Sequence, residues 1–344
     1  RNPYKYYDEW KDESDRWQLI RACIELVELT KNSKYKSTLI IEVDQSTSCL
    51  QHIALLIGAD KGMKLAKRVN LGADFHDIYL ELGNILVRKE SKNYSGLNKL
   101  EEKDLRKIVK MALVPWTYGG DAWSAGEEYH KSSITFLRDM SSSKRMKFAH
   151  RVITVIEKEL HECVKYTQEV KGELKGNQYA PTWSSPSGFT IHANKHRQTG
   201  VGDEDWCKKY RDERANVYHK IGLPPKKITA YKPLPMLDYD AIRKAIAPNT
   251  IHSYDASVIH YLLAMCPKDV TLVSVHDAIG THARDIEGTR DAFKQVFHML
   301  YNQLHPKIIQ KKGIPPEFLK EHGVPNQLDL QLSEMILDAE HLTG

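Results

Sequence analysis

Two short apolar runs, each leading to an aspartate, constrain this chain more than any other feature. Thr38 to Val43 is β-branched and leucine-rich and ends at Asp44, which reads as a buried strand. Val270 to Val275 alternates like a strand, and Ala278 to Ala283 supplies its partner, with His276 and Asp277 near the turn between them. From about Leu50 to Glu169 the apolar spacing is mostly helical. Strands from opposite ends of a chain can share a sheet only if the fold closes over what lies between. The expected class is α+β, with one sheet assembled from distant segments around a large helical insertion.

The remaining stretches fit that frame. Apolar residues at positions 17, 19, 20, 23, 24, 26, 27 and 29 predict an amphipathic helix over Trp17 to Leu29 with a wide buried stripe. Proline and glycine cluster at Pro181 to Gly188 and Pro224 to Pro235, where loops or short strands are expected. Tyr254 to Met265 and Ile286 to Leu304 read as helices, followed by a proline-punctuated tail.

Composition excludes several classes. Hydrophobic residues make up 41% and charged residues 28%, a globular balance, and no apolar run approaches the roughly 20 residues of a membrane span. The polar, aromatic start from Arg1 to Trp10 does not resemble a signal peptide. A net charge of +5 permits a polyanionic partner without requiring one. Basic clusters at Lys103 to Lys110, Lys144 to Arg151 and Lys208 to Arg214 each fit a solvated helix face. Five scattered cysteines without a C-x-x-C pair favour free thiols over a disulfide framework or a cysteine zinc site. His192 and His196 stand four apart, but in a strand-like segment, which favours a structural role. There is no Walker loop, no G-x-G-x-x-G and no internal repeat.

The chemistry-bearing residues begin with Asp44 and Asp277. A carboxylate at a strand end can emerge from a packed sheet into a cleft, although either one alone would serve equally as a cap or turn residue. Paired hard carboxylates suit magnesium, which keeps water and phosphate oxygens as its other ligands. Two such ions can activate an attacking hydroxyl and stabilise a leaving pyrophosphate. Between the two aspartates, Arg106 and Lys110 are one helical turn apart. Leu105, Ile108, Val109, Ala112, Leu113 and Trp116 occupy the opposite stripe, so the two cations share an exposed face. Such a pair can grip a triphosphate, and Tyr118-Gly119 beyond it can set an aromatic ring beside a base and sugar. An ordinary basic helix face would carry the same spacing.

In this order the residues resemble the single-subunit RNA polymerases of phages and mitochondria, within the wider polymerase A superfamily. Asp44-Gln-Ser-Thr-Ser-Cys-Leu-Gln51-His52 is similar to motif A, Arg106-x-x-x-Lys110-x7-Tyr118-Gly119 to motif B, and Val275-His276-Asp277-Ala278 to motif C. Asp77-Ile-Tyr79, the stretch from Trp183 to Phe189, and Ala247-Pro-Asn-Thr-Ile-His252-Ser-Tyr-Asp255 agree as linking segments. The resemblance implies a right-hand polymerase. Residues 1–72 would be the first part of the palm, 73–250 the fingers, and 251–344 the second part of the palm with a C-terminal tail. It implies that Asp44 and Asp277 ligate two Mg2+ ions and that Arg106 and Lys110 contact the triphosphate. Tyr118, Gly119 and His252 would sit near the incoming sugar and the growing end, Tyr79 and Cys49 would line the substrate pocket, and His276 would flank the catalytic carboxylate.

The implied activity is DNA-templated RNA synthesis, with template DNA, ribonucleoside triphosphates and RNA product as partners. Cys49 replaces the bulky glutamate by which the DNA-polymerising cousins block a 2′-hydroxyl, and Val114 replaces their usual aromatic residue; both favour RNA. Cys49 and Gln45 stand where the family usually has glycine, and Ala278 where the RNA enzymes usually have serine. Pro115 should kink the motif B helix near Met111. The family's long N-terminal region, thumb and Gly-Arg strand are not found, so a second polypeptide is expected to supply them, as in split phage enzymes. The aromatic, acidic stretch Tyr4 to Asp15 is the candidate contact. The cytoplasm of an infected bacterium is the expected compartment, with the mitochondrial matrix as the alternative. An inactive palm kept as a nucleic-acid-binding subunit is the reading from another class.

Overall fold

The computed structural model describes residues 3–11, 16–172, 174, 180–200, 231–301 and 330–343. Helices α1 (Tyr7–Trp10) and α2 (Arg16–Lys31) precede strand β1 (Ile40–Val43). A helical body follows: α3 (Ser48–Leu56), α4 (Ala59–Arg68), α5 (Ile78–Glu90), α6 (Glu102–Thr117), α7 (Ala122–Lys131), α8 (Thr135–Arg138), α9 (Ser142–Glu159) and α10 (His161–Gly172). Then come β2 (Thr182–Ser184), β3 (Thr190–His192), β4 (His196–Gly200) and β5 (Tyr231–Leu237). Helix α11 (Tyr239–Met265), the hairpin β6 (Val273–Val275) and β7 (Ala278–His282), α12 (Ile286–Met299) and α13 (Leu330–Leu337) complete the order.

The fold is a mixture of helices and small antiparallel sheets. The three-stranded sheet has the order β1-β7-β6, so the first and last thirds of the chain share it as expected. Val43 pairs with Ile279 and Ile40 with His282, while Val275 pairs with Ala278 across a two-residue turn. Central β7 is buried through Ile279, Gly280 and Thr281. Gly280 is required there, because a Cβ would stand 2.5 Å from Ile40 Cγ2. The edge strands depart from the buried reading. Ile41 is exposed, and so is all of β6, because only the middle strand has neighbours on both sides.

Helices α3 to α12 build one apolar core. Helix α3 is buried along its whole length, and α6 lies between α5 and α7 with Leu105, Ile108, Val109, Ala112 and Leu113 inward, the stripe its sequence predicts. Pro115 sits in the last turn of α6, which runs continuously to Thr117. Close approach of α3 and α4 rests on Gly62, where a Cβ would lie 1.9 Å from the Ala54 carbonyl oxygen. Gly62→Ala is expected to cost about 3 kcal/mol, because backbone rather than a flexible side chain must move. Denaturant unfolding checks this, and a loss below about 0.5 kcal/mol, the range of neutral surface changes, would contradict that packing.

Helix α2 forms where its periodicity predicts, but none of its residues is buried, and Trp17, Leu19, Ile24, Leu26 and Leu29 are exposed. Its stripe has no partner among the described residues beyond α1, whose Tyr6 and Trp10 flank a groove of about 500 Å³ with Ile20, Ile24 and Val27. Helix α11 starts at Tyr239, well before Tyr254, because Asp238 caps it by accepting from Ala241 N and because it runs through Pro248. His192 and His196 fall on different strands, β3 and β4, and His196 Nδ1 meets Leu234 O at 2.9 Å, so they do not form a chelating pair. The cluster Lys208 to Arg214 and residues 224–230 lie outside the described residues.

Candidate active site

Asp44 follows β1 directly, and Asp277 is the second residue of the β6–β7 turn. The Val43–Ile279 register continues to Asp44 opposite Ala278, which sets the two carboxylates side by side at one end of the sheet. The two-residue turn forces His276 to φ 56, a left-handed conformation costing a non-glycine residue about 1–2 kcal/mol. Both aspartates line a cavity of about 560 Å³. Water reaches Asp44, yet crowding by protein raises its carboxyl pKa. Asp277's charge raises it further, while the Gln45 backbone N–H and the Lys110 charge oppose the shift. Neither carboxylate has an ion-pair partner among the described residues, whose ion pairs lie elsewhere. Two uncompensated carboxylates facing one open cavity fit a divalent cation that keeps water and phosphate ligands.

The cations come from α6, across the cavity. Both stand over Tyr79: Arg106 with its guanidinium carbon 5.1 Å and Lys110 with its ammonium 5.9 Å from the ring centroid. Asp77 organises this group. Its Oδ1 caps α5 by accepting from Tyr79 N and Leu80 N at 3.0 and 3.1 Å, and its Oδ2 accepts from Arg106 Nε at 2.7 Å. Burial pushes the Tyr79 hydroxyl up to about 12, so it stays a neutral donor. Lys110 lines the cavity, whereas Arg106, held by Asp77, is outside the lining.

Beyond the lysine, Tyr118 stacks on His252 with ring centroids 4.7 Å apart and planes 8° off parallel. Burial raises its hydroxyl pKa, and the Ser48 side chain is its hydrogen-bond partner. Gly119 takes φ 84, and a Cβ there would press to 3.3 Å on Lys244 O. That carbonyl has no helical donor, because the residue four further on is Pro248. The tyrosine-glycine turn and the proline break of α11 therefore pack on each other. Cys49, buried, donates weakly to Thr117 O at 3.7 Å and lines the same cavity, as do Val114 and His276.

Other groups at the cavity carry no strong sequence signal. Gln51 donates through Nε2 to Ser46 Oγ, Val69 O and Leu342 O, and Gln45 bridges Thr343, so the extreme C-terminal residues hold the loop after Asp44. Asp255 lines the cavity, and its Oδ1 meets Nε2 of fully buried His52 at 2.9 Å. Both residues fall inside stretches matched by sequence, but nothing in their spacing assigns them to one another. The Trp183 to Phe189 stretch is pinned to α11, with Ser187 Oγ 2.8 Å from His260 Nδ1.

Among the described residues, no helix is long and apolar enough to cross a membrane. Comparison with known proteins agrees with this architecture of paired carboxylates and a cationic helix. The chain is 23% identical to the mitochondrial DNA-directed RNA polymerase of Neurospora crassa, over 88% of this chain and 25% of that protein. It is 23% identical to the Schizosaccharomyces pombe mitochondrial enzyme, over 85% and 26%, and 24% identical to that of Mus musculus, over 88% and 25%. The chain thus spans about a quarter of the length of these curated relatives. A family model described as DNA-dependent RNA polymerase matches residues 1–313, and the chain belongs to that family.

Proposed function

We propose that this cavity adds ribonucleotides to a growing RNA chain on a DNA template, with Asp44 and Asp277 holding two Mg2+ ions. The observation that carries this reading is the meeting of two uncompensated carboxylates with Lys110 across one cavity. When bound, the ions supply activation of the attacking hydroxyl and charge stabilisation at the leaving pyrophosphate. Lys110, joined by Arg106 at the rim, neutralises triphosphate charge. Tyr118 and His252 form a flat wall for the sugar and base, and His276 flanks Asp277. Cys49, small and tucked against Thr117, leaves room for a 2′-hydroxyl, which favours ribonucleotides over the deoxyribonucleotides of the DNA-polymerising cousins.

In this reading, residues 1–72 and 251–344 form the palm and 73–250 the fingers, a division supported by the shared β1-β7-β6 sheet. A second polypeptide supplies thumb and N-terminal functions, supported by the open apolar face of α1 and α2. The mitochondrial relatives fit the mitochondrial matrix, the second of the two compartments expected from sequence. Primer extension on single-stranded DNA with magnesium, comparing ribonucleotides with deoxyribonucleotides, tests the proposal. Ribonucleotide incorporation supports it, deoxyribonucleotide preference moves the chain to the DNA-polymerising cousins, and inactivity under every condition favours a purely binding role.

Lysate of the native source should raise incorporation if a second polypeptide completes the enzyme. Ile24→Glu should abolish that stimulation while leaving the unfolding midpoint unchanged. Excluding one aliphatic side chain from an interface costs about 1.5–3 kcal/mol, at least tenfold in Kd. Equal stimulation of wild type and variant would remove α2 from the contact.

A further inference from the structure

A buried carboxylate between two histidines lies behind the Tyr118–His252 wall. Asp255 is 8% exposed, and its two oxygens face different rings. Oδ1 is 2.9 Å from His52 Nε2, and Oδ2 is 4.0 Å from His252 Nδ1. No arginine or lysine pairs with this carboxylate among the described residues. His52 is sealed inside the core, its ring centroid 4.8 Å from Phe297 and 5.9 Å from Tyr254, and its Nδ1 is hydrogen-bonded to the Tyr301 hydroxyl. These anchors come from α3, α11 and the end of α12.

We propose that Asp255 is a positioning residue for ribose recognition: it holds His52 and His252 in one tautomeric chain that leaves His252 Nε2 as a hydrogen-bond acceptor facing the cavity. The proposal rests on the reading of the cavity as a nucleotide site. The chain of donors runs one way. Burial keeps the Tyr301 phenol protonated, so its O–H donates to His52 Nδ1. His52 is then the Nε2–H tautomer and donates to Asp255 Oδ1. The second carboxylate oxygen can only accept, so it selects the Nδ1–H form of His252, as a buried aspartate fixes an imidazole in a hydrolase triad. The opposite ring nitrogen, Nε2, keeps its lone pair. Stacking on Tyr118 at 8° fixes the plane of the ring, so the lone pair has a fixed direction as well.

A fixed acceptor suits a hydroxyl donor. A ribonucleotide brings a 2′-hydroxyl and a deoxyribonucleotide does not, and a site built to bond a hydroxyl penalises the analogue that lacks it. Asp255→Asn preserves shape and can still accept from His52, but it turns an N–H toward His252 and reverses the tautomer. The His252 ring would then offer an N–H to the cavity, where it competes as a donor against the sugar hydroxyl.

The test uses the full chain with 15N-labelled histidine. In wild type, His252 should show a protonated Nδ1 and an unprotonated Nε2, and in Asp255→Asn the two should exchange. An Nε2–H form in wild type, or the same tautomer in both proteins, overturns the proposal. In parallel, the preference for ribo- over deoxyribonucleotides should fall about tenfold in Asp255→Asn, mostly through KM for the ribonucleotide, whereas a merely structural defect would lower both rates together. Asp255→Glu, which keeps an acceptor toward His252, should retain more of the preference, and this arm serves if the asparagine variant does not fold. A preference that stays at the wild-type level overturns the role in ribose recognition. If wild type incorporates neither nucleotide, the polymerase reading fails, while the tautomer measurement still decides what Asp255 does.

Discussion

Asp277→Asn is expected to abolish nucleotide addition, a loss of about 10³-fold or more, while template binding persists. The scale is that of removing one charged group aimed at the transition state. Asparagine matches aspartate in size and suits the same hairpin turn, so the β6–β7 register should survive. What disappears is one of two uncompensated carboxylates, and with it tight binding of a divalent cation. Titration of the metal-free protein with Mn2+ provides a readout independent of activity and should show the site weakened in the variant. Synthesis comparable to wild type would remove Asp277 from the metal site and end the two-ion assignment.

Asp44→Asn should lose activity equally but differ in stability. Its carboxyl pKa lies above the ordinary 3.8, through burial and then through Asp277. The folded chain therefore holds this proton to a higher pH than the unfolded chain. Stability falls as pH rises from the unfolded value through the folded one, and the cost persists at neutral pH. In metal-free buffer, Asp44→Asn should melt at a higher temperature than wild type at pH 7, and the two should converge well below pH 3.8. A site that gains stability when its charge is removed is a site kept for chemistry rather than for folding.

The second large effect is expected at Lys110. Lys110→Gln should lower kcat by about 10²-fold or more, with a smaller change in template affinity. Lys110 is the cation that lines the cavity and the one whose charge reaches Asp44. Arg106 is already engaged by Asp77 at 2.7 Å and stands outside the lining, so the two residues are not equivalent despite their shared helix face. Single-turnover incorporation separates the outcomes. A rise in KM alone would make Lys110 a binding residue without a role in the chemical step.

Much of this site was legible along the chain because local pattern reports local geometry. The stripe of α6 followed from spacing alone, and so did the exposed face that carries Arg106 and Lys110. The β6–β7 turn was set by a two-residue gap between β-prone runs, which also puts His276 at positive φ. Elsewhere the pattern was right and the burial was wrong. Helix α2 has an amphipathic stripe but nothing in the described chain to bury it, since periodicity states what an element can cover and not whether a cover exists. Pro248 hid the first half of α11, because a proline within a helix is read as a stop unless a partner uses the carbonyl it frees.

The sequence by itself determined the element types, the two aspartates at strand ends and the cationic face, each a matter of residues within one or two turns of each other. Only the tertiary structure decided which of these groups meet. Antiparallel pairing of β1 with β7 brings Asp44 beside Asp277, and packing of α11 on α3 brings Asp255 to His52. The physical reason is that a carboxylate's partners and pKa depend on what lies within a few ångströms, and that neighbourhood is drawn from segments far apart in the chain.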